Sequence, residues 1–313
     1  MSEPISRPIR GGGYRAEVSS AGGALRLLEQ DGPEGGYRLT ESWPANARPP
    51  LYSGTVLAPW PGRVRDGHFF FDGIEHQLAV TDPRHGAAVH GFAWHRDWTL
   101  LSHNESRIEQ ALEVGLHKGW PYQLRLTAAH EVGPGGLTVT LTATNVGGYH
   151  SPFGLGGHPY LRAGDAPLDE CSLQVAAGTR LPLDLHRGLP NAYSHPVAGT
   201  EYDFTSPRLL EGVHLDVPYG AVDQDVDGRA RHRLLAPDGR GVEMWAGKEF
   251  GWLHATTTRP DTGDGYPDRG RALALVPMTC PPDAFNLGID LIVLQPEEQW
   301  TGQWGIAAVG PGS

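Results

Sequence analysis

Leu137, Val139, Leu141 and Ala143 alternate with Thr138, Thr140, Thr142 and Thr144. A period of two, rich in β-branched residues, predicts a half-buried strand over Leu137–Asn145. The run Trp120–Val132 reads as its antiparallel partner, with Gly133-Pro134-Gly135-Gly136 as the turn between them. Similar short apolar runs recur along the whole chain. Tyr14–Val18 and Ala24–Leu28 predict a hairpin around Gly22-Gly23, and His68–Phe71 and Ile74–Val80 another around Asp72-Gly73. Further strands are predicted at Ser172–Ala176, Arg231–Ala236, Val242–Ala246, Leu253–Thr258, Ala272–Val276, Leu291–Gln295 and Trp300–Ala307. No segment sustains a helical period, and there is no internal repeat. The pattern predicts an all-β protein, a large antiparallel β-sandwich formed by residues 1–313 as one domain.

Two kinds of segment break the pattern. Residues 1–13 are polar and end in three glycines, which reads as a loose lead-in, and residues 38–50 show no period. Forty-three glycines and 27 prolines alongside nine tryptophans describe many turns between packed strands. The formal charge of −11, with no run of Lys or Arg, argues against nucleic acid and against an anionic membrane as partners. No apolar run reaches the ~20 residues of a membrane helix. Met1–Arg10 lacks the apolar stretch of a signal peptide, so a cytoplasmic location is expected. Cys171 and Cys280 stand far apart and form no CxxC.

Four stretches carry unusual local chemistry. In Gly154-Leu155-Gly156-Gly157-His158-Pro159-Tyr160-Leu161, glycines offer backbone freedom and Pro159 stiffens the chain right after a histidine suited to proton transfer. Pro59-Trp60-Pro61-Gly62-Arg63-Val64 predicts a rigid rim, with Trp60 as an apolar wall and Arg63 as a fork of donors. His90-Gly91 sits between apolar residues. Pro277-Met278-Thr279-Cys280-Pro281-Pro282-Asp283-Ala284-Phe285 follows the last long apolar run. Nucleotide-binding glycine motifs, HExxH and GxSxG are absent, and no cofactor or metal is expected.

Together these segments, with the closing Trp300-Thr301-Gly302-Gln303-Trp304-Gly305, resemble the aldose 1-epimerase (galactose mutarotase) family. The likeness is strongest to its bacterial branch with a PMTCPP segment and runs from about Gly13 to Ile306. It implies a large antiparallel β-sandwich with an open cleft for a small-molecule sugar, and the interconversion of pyranose α and β anomers. By resemblance, Arg63 binds sugar hydroxyls, His90 binds near the ring oxygen, His158 is the general acid at that oxygen, and Asp216 is the sugar-binding aspartate. Trp60 is expected to stack on a sugar face. One position departs from the family. The residue before PMTCPP is usually a glutamate, the general base, and here it is Val276. Valine accepts no proton. This leaves slow turnover aided by water, another carboxylate such as Asp283 or Glu249, or a cleft given over to sugar binding or other chemistry.

Overall fold

The structure, a computed structural model, describes residues 3–32 and 35–310. Two large antiparallel sheets dominate it. One has nine strands, with Leu124–Gly133, Gly136–Asn145, Gln299–Val309 and Gly241–Gly247 side by side at its centre. The other has eight, centred on Asp216–Val222, Trp252–Thr257 and Leu273–Met278. The predicted alternation holds: Leu137, Val139, Leu141 and Ala143 are all buried, while the threonines between them stay partly exposed. The predicted partner strand begins at Leu124 rather than Trp120 and pairs with Gly136–Asn145 over ten residues. Helix among the described residues amounts to one α-helical turn, Ala284–Leu287, and three short 3-10 turns.

The N-terminal expectation needs correction. Ser6–Gly11 is a strand, paired residue for residue with Tyr14–Ser19 at the edge of a four-stranded sheet. Only Ile9 in it is buried, so backbone pairing rather than apolar content makes this segment a strand. Met1 and Ser2 lie outside the described residues.

Strand register decides which side chains meet the cleft. In the eight-stranded sheet Asp216 faces Thr256, Pro218 faces His254, and His254 faces Val276. Residues directly opposite, and those two apart, share a face. Val217, Tyr219, Leu253, Ala255, Leu273 and Leu275 therefore point together, into the main core shared with the nine-stranded sheet. Ala274, Val276, Met278 and Trp252 point the other way and join Leu57 and Tyr160 in a smaller cluster. Leu273–Met278 is buried on both faces, which explains an apolar run that does not alternate.

The glycine-rich stretch plays a different part from the one its sequence suggests. Gly156–Gly157 is a strand that pairs with Leu57, Val56 and Met278, and none of Gly154, Gly156 and Gly157 has a positive φ. What these positions require is smallness. A Cβ on Gly157 would lie 2.9 Å from the Trp304 ring, and one on Gly154 2.6 Å from Cys280 Sγ. The stretch is packed tight, and His158 leaves it in a fixed direction.

Candidate active site

An open cleft of about 560 Å³ lies against the second face of the eight-stranded sheet. Arg63, His90, His158, Asp216 and Val276 all line it, with Tyr52, Asp82, His85, Tyr160 and His254. A somewhat larger depression, about 700 Å³, lies elsewhere, beside Asp31, Tyr37, Asp165 and Arg240, and holds none of the predicted site residues. Among the described residues no group of three or more His, Cys, Asp or Glu side chains converges as a metal site requires.

His90 owes its position to an unusual backbone. Its φ is +60° and that of Gly91 is +69°. A Cβ on Gly91 would collide with the backbone of Ala58 and Pro59, so glycine is needed there for space as well as for its φ. The Gly62 N–H donates to His90 Nδ1 at 3.0 Å. Nδ1 is thus an acceptor, and in the neutral ring the proton sits on Nε2. Burial, with the neighbouring His158, Arg63 and His254, pushes the His90 pKa well below its usual value. His90 is a neutral N–H donor.

His158 lies close by, its ring centre 5.7 Å from that of His90 and nearly perpendicular to it. The backbone on either side is pinned: the His158 N–H donates to Thr55 O, and the Gly54 N–H donates to His158 O. Tyr52 wedges against both rings, its centre 4.6 Å from His90 and 5.9 Å from His158. Leu51 and Tyr52 each take a left-handed backbone to put it there, a strain of the kind often found at sites. His158 is 6% exposed, and burial lowers its pKa to about 3. It too is neutral at pH 7, a ring suited to hydrogen bonding rather than a resident imidazolium.

Arg63 is aimed by a cluster that the sequence did not disclose. Its Nε donates to Asp82 Oδ2 at 3.0 Å, and the same oxygen lies 2.7 Å from His85 Nδ1. Burial would raise the Asp82 pKa, but the hydrogen bonds from Arg63 and His85 and their charges outweigh it and hold the carboxyl ionised. Asp216 opens its strand at the cleft edge, its side chain 58% exposed. Its Oδ1 lies 2.7 Å from His254 Nε2. Desolvation in the cleft raises the Asp216 pKa, yet the hydrogen bond from His254 and the charges of His254 and Arg63 bring it below its ordinary value overall.

Three expectations fail. Trp60 is no sugar platform: it is 4% exposed and absent from the cleft lining. Its ring packs against Phe92, Trp120 and Phe285 at 5.1–5.8 Å, and its Nε1–H donates to Ala88 O. The prolines beside it fix a segment that dives into the core. Trp60→Phe is expected to lower stability by about 1–2 kcal/mol through lost packing while leaving the KM for any sugar unchanged, a combination that thermal unfolding and kinetics together would check. Asp283 is buried away from the cleft, where its Oδ1 accepts from the Arg65 N–H at 2.9 Å and from Asn286 Nδ2 at 2.8 Å. Glu249 also lies outside the lining. Neither carboxylate lines the cleft. Val276 does face the cleft, as its place before Pro277 suggests.

The family model described as aldose 1-epimerase matches residues 9–306. The uncharacterized Escherichia coli (strain K12) protein YphB is 31% identical over 306 residues, covering 94% of this chain and 96% of that protein. YihR of the same strain, also uncharacterized, is 26% identical over 294 residues, covering 92% and 88%. The crystal structure of a GalM/aldose epimerase homologue from C. elegans superimposes with a TM-score of 0.85 over 99% of this chain and all of that one, at 16% identity. With a family match over nearly its whole length, and a fold shared with solved structures of that family's homologues, the chain belongs to the aldose 1-epimerase family.

Proposed function

We propose that the protein is an aldose 1-epimerase that interconverts the α and β anomers of a pyranose, and that it belongs to the branch marked by the PMTCPP segment, Pro277–Pro282 in this chain. The observation that carries this reading is the convergence of His90, His158, Arg63 and Asp216 on one cleft. Ring opening removes the proton from O1, breaks the C1–O5 bond and places charge on O5. Two neutral imidazoles fixed 5.7 Å apart suit the O5 side of that change, donating hydrogen bonds where the charge develops. Arg63 and the free oxygen of Asp216 suit ring hydroxyls. We read the chain as one domain and place it in the cytoplasm, where two unpaired, buried cysteines fit a reducing compartment.

A second reading, sugar binding without turnover, is favoured by one observation, Val276 in the place of the family's base. Calorimetric titration with glucose and galactose, paired with NMR magnetisation exchange between their anomeric protons, separates the two. Binding with enzyme-dependent exchange supports the epimerase, and binding without exchange supports the second reading.

A further inference from the structure

His254 was not anticipated from sequence, and its surroundings are those of a base. It stands directly opposite Val276 on the neighbouring strand. Opposed Cβ atoms lie roughly 4.5–5.5 Å apart, so an imidazole at 254 and a carboxylate at 276 reach overlapping parts of the cleft. Its Nε2 meets Asp216 Oδ1 at 2.7 Å. An ionised carboxylate only accepts, so Nε2 carries the hydrogen and the lone pair resides on Nδ1. Nδ1 makes no hydrogen bond with any described residue, and the side chain keeps 12% of its surface open. The arrangement is a cleft-lining ring oriented by a half-exposed carboxylate at the cleft edge, its second nitrogen unpaired, which is how an imidazole is prepared as a general base.

We infer that His254, oriented by Asp216, is the general base of this protein, moved one strand across from the position that Val276 has vacated. The inference rests on the proposed anomerase activity. In the opening step His254 Nδ1 takes the O1 proton and the O1 electron pair forms the C1=O1 bond. The C1–O5 bond breaks with its pair going to O5, which His158 and His90 steady by hydrogen bonds. The proton held on His254 then passes to O5, directly or through one water, leaving the open-chain aldehyde and a neutral imidazole. Closure after rotation about C1–C2 runs the same transfers backwards. No proton is gained or lost, and no co-reactant is needed. A second imidazole–carboxylate pair in the cleft, His85 with Asp82, fits less well, because Arg63 shares the same Asp82 oxygen and neither residue lies on the strands beside Val276.

The test compares wild type with His254→Gln, which keeps side-chain length and polarity but accepts no proton under these conditions. The expected result is a fall in kcat of about 10²–10⁴ with little change in KM. His254→Ala should regain rate in proportion to added imidazole, and this titration decides the matter if the Gln variant has an altered melting curve. Unchanged kcat in His254→Gln, or a His254→Ala rate that is low and indifferent to imidazole, overturns the assignment. A wild-type protein that turns over no aldose would instead overturn the anomerase reading itself.

Discussion

His90→Ala is expected to lower kcat/KM by about 10²–10³, the usual loss when one preorganised donor to a developing oxyanion is removed. The size follows from the geometry. The Gly62 N–H fixes the tautomer, the left-handed backbone fixes the direction, and the neutral ring needs no deprotonation to donate. Because the His90 pKa is already well below neutrality, the loss should be the same at pH 6 and pH 8. His90→Asn should fall between alanine and wild type. Asparagine tolerates a positive φ and offers an acceptor for Gly62 together with a donor towards the cleft. Steady-state kinetics of the three proteins at two pH values check this. An alanine variant with near wild-type kcat/KM would remove His90 from the reaction.

The second large effect is on stability in mild acid. Burial lowers the pKa of His130 to about 4, and of His158 and His232 to about 3, from the usual 6.5. In each case the unfolded chain binds a proton more readily than the folded one. Their contribution is therefore fully present above pH ~6.5 and is lost as pH falls towards 3–4. Each such group costs about 1.4 kcal/mol per pH unit over that window. Acting together, they should take a large share of a typical domain stability of about 5–15 kcal/mol as the pH falls below 6. Buried Glu41 works in the opposite sense, since burial raises its pKa against the pull of Arg162 and Arg269, but these three histidines, and His90 with them, outnumber it. Urea unfolding at pH 7, 6 and 5 should show ΔG falling steeply below pH 6.5. His232→Gln should flatten that slope without touching the cleft. His232 is wholly buried, accepts from the Ala176 N–H through Nδ1 and leaves Nε2 without a partner. A ΔG that stays level from pH 7 to pH 5 would contradict the account.

Much of the architecture was legible because period-two alternation reports burial directly, as over Leu137–Asn145. The edge strand Ser6–Gly11 was not, since only Ile9 in it is buried and its backbone bonds leave no trace in composition. Trp60 misled for a related reason: Pro-Trp-Pro describes the local backbone but says nothing of the aromatic cluster that receives the ring. Among site residues, His90 was visible beside the glycine its backbone demands, and Val276 through the likeness of the segment that follows it to the family's PMTCPP motif. His254 was hidden. Its carboxylate partner is 38 positions away, and it meets Val276 only through strand register. Alternation within Trp252–Thr257 does put His254 with Trp252 and Thr256 on one face, and combining that with the pairing to Leu273–Met278 was the signal that could have found it.

On the proposed reading, this cleft catalyses anomer interconversion despite valine at the usual base position. Freshly dissolved α-glucose and α-galactose, followed by polarimetry with and without the protein, test it most directly. Wild type is expected to accelerate the decay of optical rotation towards the equilibrium mixture in proportion to protein concentration for at least one aldose. A decay indistinguishable from that of the free sugar across the aldoses tried, with sugar binding confirmed by calorimetry, would contradict it.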